Sequence, residues 1–228
     1  MSTERRQPTS AAWQLPRGWR FERLGEVCHI NPRRPEIDRG DHEPTTFVPM
    51  PAVDEDGKGI KRPEVKPFAQ IKKGYTFFAE GDVLFAKITP CMQNGKHAVA
   101  RDLVGGIGFG STEFHVLRPT EVVLAEWIHA FLTQPDVLRA AMGHFTGAVG
   151  QQRVPDSFLS DLIVPLPPLA EQKRLTVILA EQMAMVEQAR AAAVAQAKAA
   201  KELPSALLRA RLLLPNSSSG RPGNSAMC

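Results

Sequence analysis

The sequence predicts an α+β protein: an irregular, strand-rich globular part with packed helices, followed by one long coiled-coil-forming α-helix. Three observations predict it. Short β-prone runs alternate with Pro and Gly turn signals through the first two-thirds of the chain. An amphipathic segment at residues 121–142 interrupts them. A proline-fixed stretch, Ile163-Val164-Pro165-Leu166-Pro167-Pro168, is then followed by a long run of helix-forming residues that holds no proline as far as Leu203.

Residues 1–14 are polar and irregular, and the tail from residue 213 is rich in Ser, Gly, Pro and Asn; both are expected to be disordered. Residues 15–167 form the expected globular domain. Its β-prone runs include Tyr75-Thr76-Phe77-Phe78, Val83-Leu84-Phe85 and Phe114-His115-Val116-Leu117. One helix is expected over residues 121–142, where Leu124, Ile128, Phe131, Leu132, Leu138 and Met142 recur at spacings near three and four and give a single apolar face.

The long helix is expected over residues 168–212. The part from Leu169 to Leu203 alone extends roughly 50 Å at 1.5 Å per residue. Its buried-looking positions, Leu175, Leu179, Val186, Ala189, Ala193, Ala200 and Leu203, follow a coiled-coil seam that narrows to alanine. Such a helix either folds back on its own domain or pairs with another helix, and its length favours a partner.

Composition excludes several classes. The formal charge of +4 is only mildly basic, but residues 58–96 hold eight Lys/Arg against three Asp/Glu. Three scattered cysteines, with no CxxC pair, imply neither a disulfide framework nor a zinc ribbon and fit a reducing cytoplasm. No apolar run is long enough for a membrane span. Asn31-Pro32-Arg33-Arg34 lacks the second Pro and the aromatic of an amino-methyltransferase loop, and no GxxxxGK[ST] is present. Pro155-Asp156 with Glu171-Gln172-Lys173 superficially matches a nuclease metal site. Glu171 and Lys173, however, fall in a first helical turn facing different ways, where an acid suits the helix dipole. The six histidines have no ligand spacing. Hence no catalytic residue, metal or cofactor is expected.

Two polar loops remain. The first follows an apolar strand and carries Lys87, Thr89, Gln93, Asn94 and Lys96; the second carries Gln151, Gln152 and Arg153. Lys reaches phosphates or guanine edges, and Gln and Asn can bond an adenine edge in two places. Lys58, Lys61, Arg62, Lys72 and Lys73 would add sequence-independent attraction to phosphates. From composition alone, plain surface loops are the better explanation, and the two loops together with the basic run 58–96 are what raise the case for nucleic acid.

The stretches Leu15-Pro16-Arg17-Gly18-Trp19 with Leu24-Gly25-Glu26-Val27, Gly81-Asp82-Val83-Leu84-Phe85-Ala86-Lys87-Ile88 and Val154 to Leu175 resemble the specificity subunits of type I restriction-modification systems. The resemblance implies a target recognition domain over residues 15–167 and a non-catalytic chain that binds double-stranded DNA. It also implies docking to an adenine methyltransferase subunit and a restriction/translocase subunit. The family typically carries two recognition domains and two long helices, whereas this sequence shows one of each and no internal repeat. It therefore reads as a half-length form, restoring the full architecture by pairing two copies through antiparallel helices, or else as a truncated product. Two other expectations stand beside it: a stand-alone restriction endonuclease, and a coiled-coil adaptor without DNA specificity.

Overall fold

The computed structural model describes residues 15–55, 59–148 and 150–213, with side chains to residue 203. Lys58 and the two expected disordered termini lie outside the described residues, apart from the helical end at 213. The chain divides into two compact units between Val177 and Ile178.

The first unit is built on two four-stranded sheets and a ribbon. One sheet has the order β4 (Glu64–Pro67), β3 (Pro44–Val48), β8 (Ile107–Gly110), β5 (Thr76–Ala79), with only β3 and β8 parallel. The other runs β2 (Cys28–Ile30), β9 (Phe114–Pro119), β6 (Val83–Ala86), β7 (His97–Val99) and is wholly antiparallel. β1 (Arg20–Arg23), followed by the one-turn helix α1 (Leu24–Val27), pairs antiparallel with β10 (Ile163–Leu166).

Side-chain alternation along the strands sets the layers. On β6, Leu84 and Ala86 face the first sheet and pack with Val48 and Phe78, while Val83 and Phe85 face the helices. On the outer side of the first sheet, Phe47, Phe77 and Phe109 pack under Phe68 and Ile71 of the short helix α2 (Phe68–Ile71). The layers are therefore α2, sheet, sheet and helices. β8 needs glycine because the Phe78 ring of the neighbouring strand β5 lies across it: a Cβ at Gly108 would stand 2.4 Å from that ring.

The strands expected at 75–78, 83–85 and 114–117 form, each shifted or lengthened by one or two residues. The single helix expected over 121–142 does not. Two helices form instead, α3 (Ala125–Leu132) and α4 (Pro135–Met142), with Gln134 extended between them. Pro135 has no N–H to continue the ladder and forces the preceding residue out of helical geometry. The expected apolar face is split accordingly: Ile128, Phe131 and Leu132 are buried, whereas Met142 is exposed.

After α5 (Asp156–Asp161) and β10, α6 runs from Leu169 to Leu213. Its helical backbone runs through Pro204, where the ladder lacks one N–H donor. Its start belongs to the globular unit, with Leu175 packed against the helix-side core. In the second unit Leu179, Val186 and Leu203 are 41%, 55% and 58% exposed, and Ala189, Ala193 and Ala200 are exposed with them.

Residues of the quoted motifs act as pins for this frame. Gly81 turns with φ of 83°. Buried Asp82 accepts the Ala79 N–H at 2.7 Å and both Arg118 donors at 2.7 and 2.8 Å. Trp19 packs edge-on against Trp127 and donates its indole N–H to Glu171 Oε2 at 3.1 Å.

Candidate nucleic-acid interface

β6 leads directly into the loop at 87–96, and the 146–153 loop lies against it. Thr89 N–H donates to the Gln152 carbonyl at 3.0 Å, Val154 N–H to the Lys87 carbonyl at 2.9 Å, and Ile88 and Arg153 bridge as strand neighbours. The hairpin around Val53 and Ile60 joins them through the Lys96 ammonium, which donates to the Val53 carbonyl at 2.9 Å. Chain segments some 60 residues apart thus share one end of the sheets.

The struts holding this end come from β9 and the turn before it. Glu113 accepts two hydrogen bonds from Arg153, at 2.7 and 2.9 Å, and its carbonyl accepts the Lys87 N–H at 2.9 Å. Those guanidinium bonds hold the Glu113 carboxyl below its ordinary range. Beneath the loops, Asn31 Nδ2 lies 2.9 Å from His115 Nδ1, and His115 Nε2 lies 2.8 Å from the Val154 carbonyl. With Asn31 as donor, the imidazole is neutral and gives its Nε2–H to Val154. Burial lowers its pKa, against the opposing pull of that hydrogen bond.

The expected site residues fall into two groups. Several have polar atoms engaged within the protein: Asn94 with Glu55, Gln93 with Met142, Lys61 with Asp54, Lys72 with Asp41, and Arg153 and Lys96 as above. The Thr89 hydroxyl is buried without a hydrogen-bond partner. By contrast, the side chains of Lys87, Gln151, Gln152, Arg62 and Lys73 form no side-chain hydrogen bond or ion pair among the described residues. Lys87 and Gln152 are half-buried at the loop roots, and Gln151, Arg62 and Lys73 are exposed.

Lys72 is tied elsewhere, to Asp41, while its carbonyl accepts from Arg34. The residues of the superficial nuclease pattern do not converge: Asp156 begins α5, whereas Glu171, in the first turn of α6, is held by Trp19 and Arg174. No group of three or more His, Cys, Asp or Glu able to hold a metal occurs among the described residues. Glu113, His115 and Asn31 were missed by sequence reading, since their partners lie 39 to 84 residues away.

A family model described as the type I restriction modification DNA specificity domain matches residues 16–191. The chain belongs to this specificity family. It is 36% identical over 197 residues to the type I restriction enzyme EcoEI specificity subunit of Escherichia coli, an alignment covering 86% of this chain and 33% of that protein. It thus spans about a third of the length of that relative. Among solved structures it resembles the HsdS subunit from Thermoanaerobacter tengcongensis, at a TM-score of 0.66 and 26% identity, over 93% of this chain and 54% of the other. A chain from a study of complex assembly and conformational transition of the type I R-M system matches at a TM-score of 0.70 and 25% identity, over 92% of this chain and 53% of that one. Strand-rich domain and long helix are shared with these specificity structures. No described helix is long and apolar enough to cross a membrane.

Proposed function

We propose that this specificity-family chain reads duplex DNA for a type I restriction-modification enzyme and makes or breaks no bond itself. The observation that carries the reading is the seating of the 87–96 and 146–153 loops side by side, with the side chains of Lys87, Gln151 and Gln152 forming no hydrogen bond or ion pair among the described residues.

An ammonium and two carboxamides suit base edges: Lys bonds guanine O6 or N7, and Gln bonds adenine N6 and N7 together. Arg62 and Lys73, with Lys58, supply phosphate attraction that carries no sequence information. Lys61, Gln93, Asn94, Lys96 and Arg153 keep the loops in shape through side-chain contacts inside the protein and Thr89 through its backbone N–H, while Lys72 is engaged with Asp41. Reading then depends on a preformed surface, which limits the entropy lost on binding.

The exposed seam of α6 pairs two copies antiparallel, and the dimer reads an inverted repeat with a fixed gap, since half-site spacing mirrors protein geometry. The complex docks the adenine methyltransferase and restriction/translocase subunits, which bring the chemistry.

The test is selection of duplexes from a random pool by the full chain, alone and with its methyltransferase subunit. Enrichment of a bipartite inverted repeat is expected. Failure to enrich any sequence in either condition overturns the reading. Cleavage of DNA by the purified chain with Mg²⁺ alone would assign it instead to the nucleases.

A further inference from the structure

Tyr75 is the chain's single tyrosine. Its ring is 44% exposed although it is braced edge-on against buried Phe47, with centroids 4.8 Å apart and planes at 76°. Phe47 lies on β3, and Tyr75 immediately precedes β5 on the far side of β8, so the ring lies across the end of β8. This is the end marked by Val48, Gly110 and Thr76, from which residues 111–113 lead straight to Glu113 and the Lys87 loop.

One cation stands on the Phe47 brace, and two more lie close to the pair along the chain. The Lys66 ammonium stands 4.1 Å from the Phe47 centroid. Arg62 precedes by two residues the Glu64 that pairs with Phe47, and Lys73 precedes Tyr75 by two. Both are exposed and without a carboxylate partner among the described residues. Packed sheets stand about 10 Å apart, and a major groove is about 12 Å wide. A duplex whose groove receives the loops on the second sheet therefore brings its flanking backbone over the end of the first.

We propose that Tyr75 is a DNA-backbone contact, its ring against a deoxyribose and its hydroxyl on a phosphate, with Arg62 and Lys73 on neighbouring phosphates. The contact rests on the DNA-reading function above and adds affinity without sequence preference. An exposed ring held rigid by Phe47 loses little freedom on binding, which is the physical advantage of placing tyrosine there.

The full chain labelled with 3-fluorotyrosine gives a single ¹⁹F resonance, to be followed during titration with a random-sequence duplex at low salt. Tyr75→Phe, Tyr75→Ala and Lys73→Ala are measured against the same duplex. The resonance is expected to move with saturation. Tyr75→Ala should bind about tenfold and Tyr75→Phe about threefold more weakly, alike for selected and random duplexes. Lys73→Ala should reduce the salt slope by about 1, and Tyr75→Ala should leave it unchanged. If the wild type binds no duplex, the DNA-reading function itself fails. Wild-type binding with an unmoved resonance overturns the Tyr75 contact alone, and weaker binding by Tyr75→Ala without a moved resonance is loss of the Phe47 brace and counts against it equally.

Discussion

The Gln172 carboxamide accepts the Leu124 backbone N–H on Oε1 at 2.9 Å and donates through Nε2 to the carbonyls of Val122 and Pro167 at 3.1 and 2.9 Å. Gln172 is fully buried at the start of α6, and Leu124 stands at the entrance to α3. The side chain pairs with residues 122–124 much as a neighbouring strand would. It fixes the first turn of the long helix to the globular unit.

Gln172→Ala should therefore cost about 3 kcal/mol, because three backbone groups lose their partner at once. Gln172→Glu should cost more at neutral pH, since a carboxylate would face two carbonyl oxygens, and should recover in part on acidification. Chemical denaturation of both variants at pH 5 and 7.5 checks this.

His97 supplies a pH dependence. It is buried between Phe85 and His129, neither ring nitrogen has a hydrogen-bond partner among the described residues, and burial, reinforced by His129, pushes its pKa down to about 3. The unfolded imidazole titrates near 6.5. Below about pH 6.5 the unfolded state binds a proton that the folded state refuses. Stability is then present above 6.5 and falls as the pH drops towards 3, by up to roughly 1.4 kcal/mol per pH unit. His97→Leu should flatten that slope at little cost near pH 7.5, measured as melting temperature against pH.

Glu113→Gln removes the carboxylate that holds Arg153. The pair is partly exposed, so global stability should change by less than about 1 kcal/mol. Amide exchange in residues 146–153 should accelerate and sequence selectivity should decline. Unaltered exchange would show that the loop is held without this strut.

Lys87→Ala and Gln152→Ala should each weaken selected-duplex binding by about 1–3 kcal/mol and relax preference at one base position. Selection from a random pool with each variant reads both effects. Equal affinity and an unchanged consensus would remove them from the interface.

Ala193→Glu places a charge in the narrow part of the α6 seam. It should shift the full chain towards monomer in light scattering and leave the globular unit's thermal transition in place. A mass independent of this change and of protein concentration would refute pairing through α6.

Much of the fold was legible because it is written locally. Short β-prone runs between turn signals marked β6 and β9, and helix-forming composition marked α6. Other elements carried no such mark. Gly108 and Gly110 make β8 look like a turn, but they are strand residues required by the Phe78 ring of β5 and the Val48 carbonyl of β3, the two strands that flank β8 in its own sheet. The break between α3 and α4 was visible at Pro135, yet the apolar spacing continued across it and masked it.

By itself the sequence determined the α+β class and a long alanine-rich helix, since composition and short-range periodicity decide these, and its motifs carried the family membership over residues 16–191. Only tertiary structure decided which polar side chains remain unpartnered. Arg153 meets Glu113 across 40 residues, Lys72 meets Asp41 across 31, and Lys96 reaches Val53 across 43, while the Lys87 side chain forms no ion pair among the described residues. A charge's partner is set by proximity in space, and folding brings together residues whose separation along the chain gives no sign of it.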